Sequence, residues 1–263
     1  MSLSFCSFSS GSSGNCYLIK SNNTALLIDA GISLKKINEG LIATDTPAEM
    51  LSAVLITHEH IDHVRSLKAI SNKHKTMVYG NKGTFLGNNI NVKDEYKIEF
   101  LTGERFFIGD IQVKSFNIYH DATEPVGYSF FHEDKQISIV TDTGKICNQI
   151  IEEISDADLL ILEANHDVNM LKIGRYPWFL KQRVLSEVGH LSNESCGETI
   201  LKIIQKKEKF RKVLLAHLSK ENNFPEMAYQ TVKNILEEND CYIGRNVEVN
   251  LILRDEFSEM FIV

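Results

Sequence analysis

The stretch AVLITHEHIDH, residues 53–63, joins a continuous apolar run to four side chains of types that can bind metals. Its first five residues, Ala53–Thr57, have the apolar character of a buried strand. Four potential ligands follow within six residues: His58, His60, Asp62 and His63. A lone histidine is more often a hydrogen-bonded structural residue, but three histidines with an aspartate at this spacing indicate a metal site.

The spacing divides these ligands into two pairs. His58 and His60 are two residues apart, so in extended backbone their side chains point the same way. Asp62 and His63 would lie at the entry to the following helix. Two ligand sets suit two neighbouring divalent ions. Imidazole and carboxylate ligands favour zinc or manganese and also accept iron.

Three further ligand-type residues follow predicted strands elsewhere in the chain. They are His120, Asp142 and His217. Functional residues of α/β sheets gather at the carboxyl ends of strands. We therefore expect all three to converge with the HxHxDH segment, although each alone would more simply be a capping or core residue.

Composition places the chain among globular proteins. Of its 263 residues, 43% are hydrophobic and 24% are charged, which excludes wholesale disorder and a fibrous repeat. No apolar run approaches the roughly 18 residues of a membrane span. The N-terminal stretch lacks a secretory pattern and the five cysteines form no CxxC pair, so we expect a cytoplasmic protein with reduced thiols and no membrane partner.

The charge is unevenly distributed along the chain. The net charge is −7, yet residues 172–220 hold eleven basic and four acidic residues, a net +7, which leaves −14 for the rest. A basic face would suit an anionic partner such as nucleic acid. A solvated helix surface explains the same count equally well.

The start of this basic segment mixes cations with aromatic side chains. The residues are Lys172, Arg175, Tyr176, Trp178, Phe179, Lys181 and Arg183. Phosphates held by cations and a base stacked on a ring would suit a nucleic-acid strand. Trp178 itself is expected in the core, as part of an amphipathic helix.

Predicted strands and helices alternate along most of the chain. Apolar runs at 158–162 and 212–216 predict buried strands, while Ser33 and Pro225 mark helix starts. No proline-rich linker and no internal repeat divides the sequence. We expect an α/β fold with two sheets and helices outside them, in a single domain of residues 1–263.

The chain resembles the metallo-β-lactamase superfamily. The resemblance rests on HxHxDH, LLIDAG at Leu26–Gly31, TDTG at Thr141–Gly144 and the late histidine, which occur in that family's order. It implies a four-layer αβ/βα sandwich of two mixed sheets flanked by helices, with a binuclear site along its edge. By the family pattern, His58, His60 and His120 would hold one ion; Asp62, His63 and His217 would hold the other; Asp142 would bridge them.

A more specific resemblance is to the YycJ/WalJ-type branch of that superfamily. It rests on SSGSSGNCYLI at Ser9–Ile19, YHDATEPVGY at Tyr119–Tyr128, EANHD at Glu163–Asp167, GRYPWFLKQR at Gly174–Arg183, GHLSNE at Gly189–Glu194 and HLSKENN at His217–Asn223. Members of this branch are regarded as DNA exonuclease-like phosphodiesterases. The resemblance therefore implies a DNA substrate and a 5′-to-3′ exonuclease.

The resemblance also implies how the chemistry would proceed. Two ions about 3.5–4 Å apart would clamp a phosphodiester, and a hydroxide shared by them would attack phosphorus. Asp62, Asp142 and His190 are the expected catalytic residues. His190 would donate a proton to the leaving oxygen or hold a phosphate, and Asp29 would accept the ring N–H of a ligand histidine.

Substrate contacts are expected from the SSGSSGN loop, from the loop after the strand at 158–162 and from the basic segment. The residues are Ser12, Ser13, Asn15, Asn165, His166, Arg175 and Lys181. The metal ligands alone also allow a thioester, lactone or small cyclic-nucleotide hydrolase. A non-enzymatic partner protein could share the fold, but a complete ligand set argues against that reading.

Overall fold

The computed structural model describes residues 2–263, which form two mixed seven-stranded sheets flanked by helices. The strands are β1 (Ser4–Ser9), β2 (Cys16–Lys20), β3 (Ala25–Ile28), β4 (Leu51–Leu55), β5 (Met77–Asn81), β6 (Lys97–Phe100), β7 (Arg105–Ile108), β8 (Ile111–Asn117), β9 (Val126–His132), β10 (Lys135–Val140), β11 (Leu159–Glu163), β12 (Lys212–Ala216), β13 (Glu248–Leu251) and β14 (Phe261–Ile262). The α-helices are α1 (Leu34–Ala43), α2 (Ile61–Val64), α3 (Leu67–His74), α4 (Lys82–Phe85), α5 (Asn148–Ile154), α6 (Val168–Ile173), α7 (Trp178–Val184), α8 (Asn193–Lys206) and α9 (Pro225–Glu237). Within this described part, no helix combines the length and apolar character needed to cross a membrane.

Both sheets combine antiparallel and parallel pairing. The first sheet has the order β14-β1-β2-β3-β4-β5-β6, antiparallel from β14 to β3 and parallel from β3 to β6. Its outer strand β14 pairs Phe261 with Phe5 and Ile262 with Ser4. The second sheet has the order β13-β12-β11-β10-β9-β8-β7, with antiparallel pairs among β7–β9 and parallel pairs among β10–β13. The predicted fold class is confirmed.

The described residues fall into two compact units. The first comprises residues 2–117, 122–135 and 254–263, and the second comprises residues 118–121 and 136–253. The expectation of one domain over residues 1–263 stays a prediction.

Strand ends place the ligand-type residues. The buried strand β4 leads into the HxHxDH segment, β10 leads to Asp142 and β12 to His217. β11 and β12 are parallel, and Glu163 at the end of β11 lies opposite Ala216. This register brings Glu163 beside the residue that follows Ala216, which is His217.

One expectation about local structure is wrong, and one strand was not predicted. Trp178, expected in the core, is 68% exposed at the start of α7. The strand β5 was not predicted, because Gly80 and Asn81 have the composition of a turn. Gly80 serves packing there, since a Cβ on it would lie 3.1 Å from the Phe85 ring.

Candidate metal centre

The first group of ligands, the HxHxDH cluster (His58, His60, Asp62 and His63), follows β4. His58 and His63 are buried, whereas His60 and Asp62 are half-buried. The ring centroids of His58 and His63 are 4.0 Å apart, and Nε2 of His63 lies 3.7 Å from Oδ2 of Asp62. The short helix α2 carries Asp62 and His63 in its first turn, so local structure alone brings these four side chains together.

Asp29 orients this cluster from the end of β3. Its carboxylate accepts a hydrogen bond from Nδ1 of His63 at 2.7 Å, and others from the Thr57 backbone N–H and hydroxyl at 2.9 Å. The Thr57 hydroxyl oxygen also lies 3.0 Å from Nδ1 of His58. Burial raises the pKa of the Asp29 carboxyl, and the charge of His63 works against that rise. Because Nδ1 of His63 donates to Asp29, Nε2 carries the lone pair that a metal would bind.

The loop before β2 packs against the same segment. The buried Asn15 places its side-chain nitrogen 3.0 Å from Nε2 of His63, and its backbone N–H donates to the Asp62 carbonyl at 2.8 Å. The Gly31 N–H donates to the Asn15 carbonyl at 2.8 Å. A Cβ on Gly31 would lie only 1.5 Å from the Asp62 carbonyl oxygen, so glycine is required at this close approach.

The second group of predicted site residues, the Asp142 cluster (His120, Asp142, His190 and His217), gathers around one carboxylate. Oδ1 of Asp142 lies 3.5 Å from Nδ1 of His190 and 3.5 Å from Nε2 of His217. The same oxygen is 4.0 Å from Nε2 of His120. Burial lowers the pKa of His120 and thus favours its neutral, metal-binding form.

Glu163 underlies the Asp142 cluster and was missed as a functional residue in the sequence. Its Oε1 accepts hydrogen bonds at 2.8 Å from Nδ1 of both His190 and His217. Its Oε2 accepts the Thr143 backbone N–H at 2.9 Å. Burial would raise the pKa of this carboxyl, but the two imidazoles lower it to about 2. The sequence signal was a charged residue ending a wholly buried strand, which is rare unless the charge is paired.

Three of the residues that follow strands share an uncommon backbone conformation. Asp29, Asp142 and His217 have φ of 61°, 57° and 56°. The left-handed region is costly for residues other than glycine, and such strain concentrates at functional sites. The turn at each strand end therefore points a side chain into its cluster at a cost that the surrounding structure offsets.

The remaining predicted residues lie in several environments. Asn165 is buried and donates to the His217 carbonyl at 2.9 Å. His166 is buried, neither ring nitrogen has a hydrogen-bond partner among residues 2–263, and burial lowers its pKa to about 4. Ser12 is exposed, and the Ser13 hydroxyl donates to Asp255 at 3.2 Å.

Arg175 precedes α7 and Lys181 lies on it. None of the predicted metal ligands belongs to this helix. Arg175 is exposed, and the half-buried Lys181 donates from Nζ to the Lys172 carbonyl at 2.7 Å. Their roles, like those of the loop residues, stay predictions.

Both clusters fit divalent metal ions. Two imidazole nitrogens bound tetrahedrally to one zinc at about 2.0–2.1 Å lie about 3.3 Å apart, and Nε2 of His58 lies 3.1 Å from Nδ1 of His60. In the second unit, one ligand atom each from Asp142, Glu163, His190 and His217 lies within 4.8 Å of the others. His63 and His217 direct Nδ1 to a carboxylate, the contact that commonly fixes a metal-binding histidine.

Comparison with known proteins agrees with this geometry. The family model of the metallo-beta-lactamase superfamily matches residues 10–217. "Exodeoxyribonuclease WalJ" of Streptococcus pneumoniae is 39% identical over 91% of this chain and 90% of its own, and "Exodeoxyribonuclease YycJ" of Bacillus anthracis is 36% identical over 95% of each. The crystal structure of YhfI, a metallo-beta-lactamase fold protein from Bacillus subtilis, covers 100% of both chains with a TM-score of 0.76 and 17% identity.

Two mixed sheets with histidine–carboxylate clusters at their strand ends define a class of enzyme that works with metal ions. The chain belongs to the metallo-beta-lactamase superfamily, in the branch of its WalJ and YycJ relatives. That superfamily is hydrolytic, so the prediction of a hydrolytic enzyme is confirmed.

Proposed function

We propose that the protein is a metal-dependent DNA exonuclease that shortens a strand in the 5′-to-3′ direction. The observation that carries the proposal is the complete set of ligand side chains, at strand ends, in a chain whose relatives over nine-tenths of its length are named exodeoxyribonucleases. The 5′-to-3′ polarity rests on the resemblance to their branch.

In this proposal the ligands divide between two ions as the superfamily pattern implies. His58, His60 and His120 would hold one ion, Asp62, His63 and His217 the other, and Asp142 would be shared. Zinc or manganese suits these nitrogen and oxygen donors, and iron is acceptable. When bound, divalent ions would supply Lewis-acid chemistry: they would activate a water as the nucleophile and neutralise charge on the phosphodiester.

The chain's own residues would orient the ligands and move a proton. Glu163 holds Nδ1 of His190 at 2.8 Å, which leaves Nε2 of that ring for the substrate. A carboxylate behind an imidazole stabilises its protonated form. We propose that Nε2 of His190 gives its proton to the leaving oxygen, while Asp29 keeps His63 in the tautomer that binds metal.

The test is digestion of a 5′-phosphorylated DNA duplex with manganese or zinc, compared with Asp62→Ala. The wild type should release nucleotides stepwise, and the variant should not, because it lacks one ligand. Duplexes labelled at the 5′ or the 3′ end report the polarity, since a 5′-to-3′ enzyme releases the 5′ label first.

Failure of the wild type with every metal would contradict the nuclease proposal. Thioesters, lactones and small cyclic phosphodiesters would then be the substrates to assay on the same site. The cytoplasmic location expected from the sequence stays part of this proposal.

A further inference from the structure

The segment around α7 exposes large apolar side chains in the second unit. Ile173, at the end of α6, is 87% exposed, and the consecutive Trp178 and Phe179 are 68% and 72% exposed. Single exposed apolar residues are ordinary on protein surfaces. A contiguous patch of exposed apolar side chains, by contrast, often marks a binding surface. A partner that covers these rings would remove their apolar area from water.

The charges around these rings are of one sign. Residues 168–186 include Lys172, Arg175, Lys181 and Arg183 and no acidic residue. Within α7, Trp178 and Lys181 are three residues apart, so both lie on one helix face. The Lys181 side chain bonds the Lys172 carbonyl at 2.7 Å, which ties the end of α6 to α7. The charged residues beside the rings in the sequence are therefore all basic, and a hydrogen bond holds Lys181 in place.

The same helix is linked to the Asp142 cluster by an ion pair. Arg183 donates to both carboxylate oxygens of Asp121, from Nη2 at 3.0 Å and from Nε. Oδ1 of Asp121 lies 3.4 Å from Nε2 of His120. Nδ1 of His120 in turn donates to the Gly189 carbonyl at 3.2 Å. A strand lying on α7 is thereby close to a candidate metal ligand of the same unit.

We propose that Trp178 and Phe179 form a stacking platform for unpaired bases of a DNA strand, with Arg175 and Lys181 contacting its phosphates. The inference rests on the proposed nuclease function and identifies the surface with which that enzyme would bind its DNA substrate. Stacking needs a π-face and accepts any base, while the cations follow the backbone, so the platform would bind single-stranded DNA without sequence preference. A second copy of the chain is disfavoured, because two such faces would bring Lys172, Arg175 and Lys181 of each copy towards the same cations of the other.

Trp178 is the single tryptophan of the sequence, so its fluorescence reports on the platform directly. The probe is a thymidine 12-mer, titrated into the full chain in chelator to prevent cleavage. We expect quenching of the emission on binding. A 12-mer of abasic sugar-phosphate should bind more weakly and leave the emission unchanged, because it brings phosphates without rings.

Variants separate stacking from charge. Phe179→Ala keeps the reporter and should raise the Kd for the thymidine 12-mer about tenfold. Arg175→Gln should lower the slope of log affinity against log salt by about 0.7, the value for one phosphate contact on a single strand. Ile42→Ala, at a residue 77% exposed on α1 in the first unit, is the matched control and should bind and digest DNA like the wild type.

Binding without quenching, or an unchanged Kd for Phe179→Ala, would overturn the platform. So would a dimer in sedimentation that Phe179→Ala dissociates, because the rings would then cover each other. Binding in chelator needs no catalysis. If the protein digests no DNA but its emission is quenched, the nuclease proposal is refuted and the platform stands. If the protein digests DNA but its emission is not quenched, the platform is refuted and the nuclease proposal stands.

Discussion

The Glu163 carboxylate accepts hydrogen bonds from four donors: Nδ1 of His190, Nδ1 of His217 and the backbone N–H groups of Thr143 and Leu191. We expect Glu163→Gln to weaken metal binding by about 10- to 100-fold, because an amide presents N–H to groups that themselves donate. Competition with a chelating dye measures this affinity without any substrate. The exposed Glu99→Gln on β6 is the control and should bind metal like the wild type. Equal affinity for both variants would contradict the role given to Glu163.

His190 separates proton transfer from metal binding. We expect His190→Ala to reduce turnover by about 10²- to 10⁴-fold, the usual contribution of a general acid, while metal content stays at the wild-type level. Metal analysis of the purified variant beside its DNA digestion rate checks both parts. Full turnover would rule out a role for this ring.

Asp110 ties the β7–β8 turn to the β2–β3 turn within the first unit. Its Oδ1 accepts from Ser21 at 2.7 Å and Thr24 at 2.5 Å, and His132 lies 3.3 Å from Oδ2. Partial burial opposes ionisation, but the two hydroxyls outweigh it and lower the pKa from 3.8 to about 2. The stabilisation this contact gives is therefore complete above pH 4 and is lost as the pH falls towards 2.

From this shift we expect Asp110→Asn to lower the free energy of unfolding at pH 7 by about 1 kcal/mol, allowing for its partial exposure. The difference from the wild type should shrink between pH 4 and pH 2. Urea unfolding at pH 7, 4 and 2.5 measures it, with the exposed Asp134→Asn as control. If the difference in unfolding free energy between wild type and Asp110→Asn grew as the pH fell, the predicted direction of the pH dependence would be wrong.

Single residues also mark where prediction from sequence stops. The spacing of His58, His60, Asp62 and His63 was sufficient to predict a cluster, since a strand end and one helical turn place them together. Glu163 was missed because its partners, His190 and His217, are 27 and 54 residues away. The parallel register of β11 and β12 reveals the contact with His217, and the contact with His190 requires the folded loop before α8.

At the scale of elements, the turn after β3 and the start of α2 share a backbone contact. Gly31→Ala would place Cβ 1.5 Å from the Asp62 carbonyl oxygen, so the segment that carries Asp62 and His63 must move. We expect a loss of about 1–3 kcal/mol in unfolding free energy and weaker metal binding. Chemical unfolding and metal titration check both.

Gly80→Ala in β5 is the matched control, because its Cβ would meet only the Phe85 ring at 3.1 Å, a side chain that can rotate. It should cost less stability and leave metal affinity unchanged. Equal losses of stability and metal affinity in both variants would mean that the Gly31 contact does not position the metal ligands.

Elements with a continuous apolar run were predictable, and those with a turn composition were not. β12 matches its predicted bounds and α9 begins at its predicted residue, since KVLLA is wholly apolar after its lysine and Pro225 opens a helix. The strand β5 was not predicted, because Gly80 and Asn81 are residues typical of turns and leave only a short apolar run. Trp178 was misplaced because helical spacing shows which residues share a face but not whether that face meets the core.

For the whole molecule, metal binding should appear as stability. Ions that bind only the folded chain add about 2.7 kcal/mol at 100 times their Kd, which is about 5–10 °C in Tm for a chain of this size. We expect the wild type to melt lower in chelator. Asp142→Ala and His60→Ala should melt near the chelated wild type whether metal is present or not.

Thermal melts with and without manganese or zinc make this measurement, and circular dichroism confirms that the variants are folded. A metal-induced rise of the same size in Asp142→Ala would show that this carboxylate does not hold the ions. An unfolded variant would show that the residue is needed for folding rather than for metal binding.

The strands β1 and β14 pair with each other, although the ribosome synthesises them far apart in time. β1 leaves the exit tunnel long before β14, because its outer edge is covered by residues 261–262, about 250 positions later. At about 5–20 residues per second, that edge waits roughly 10–50 s for its partner. Throughout that interval the nascent chain displays an open strand, which is where chaperones would bind it or misassembly would begin.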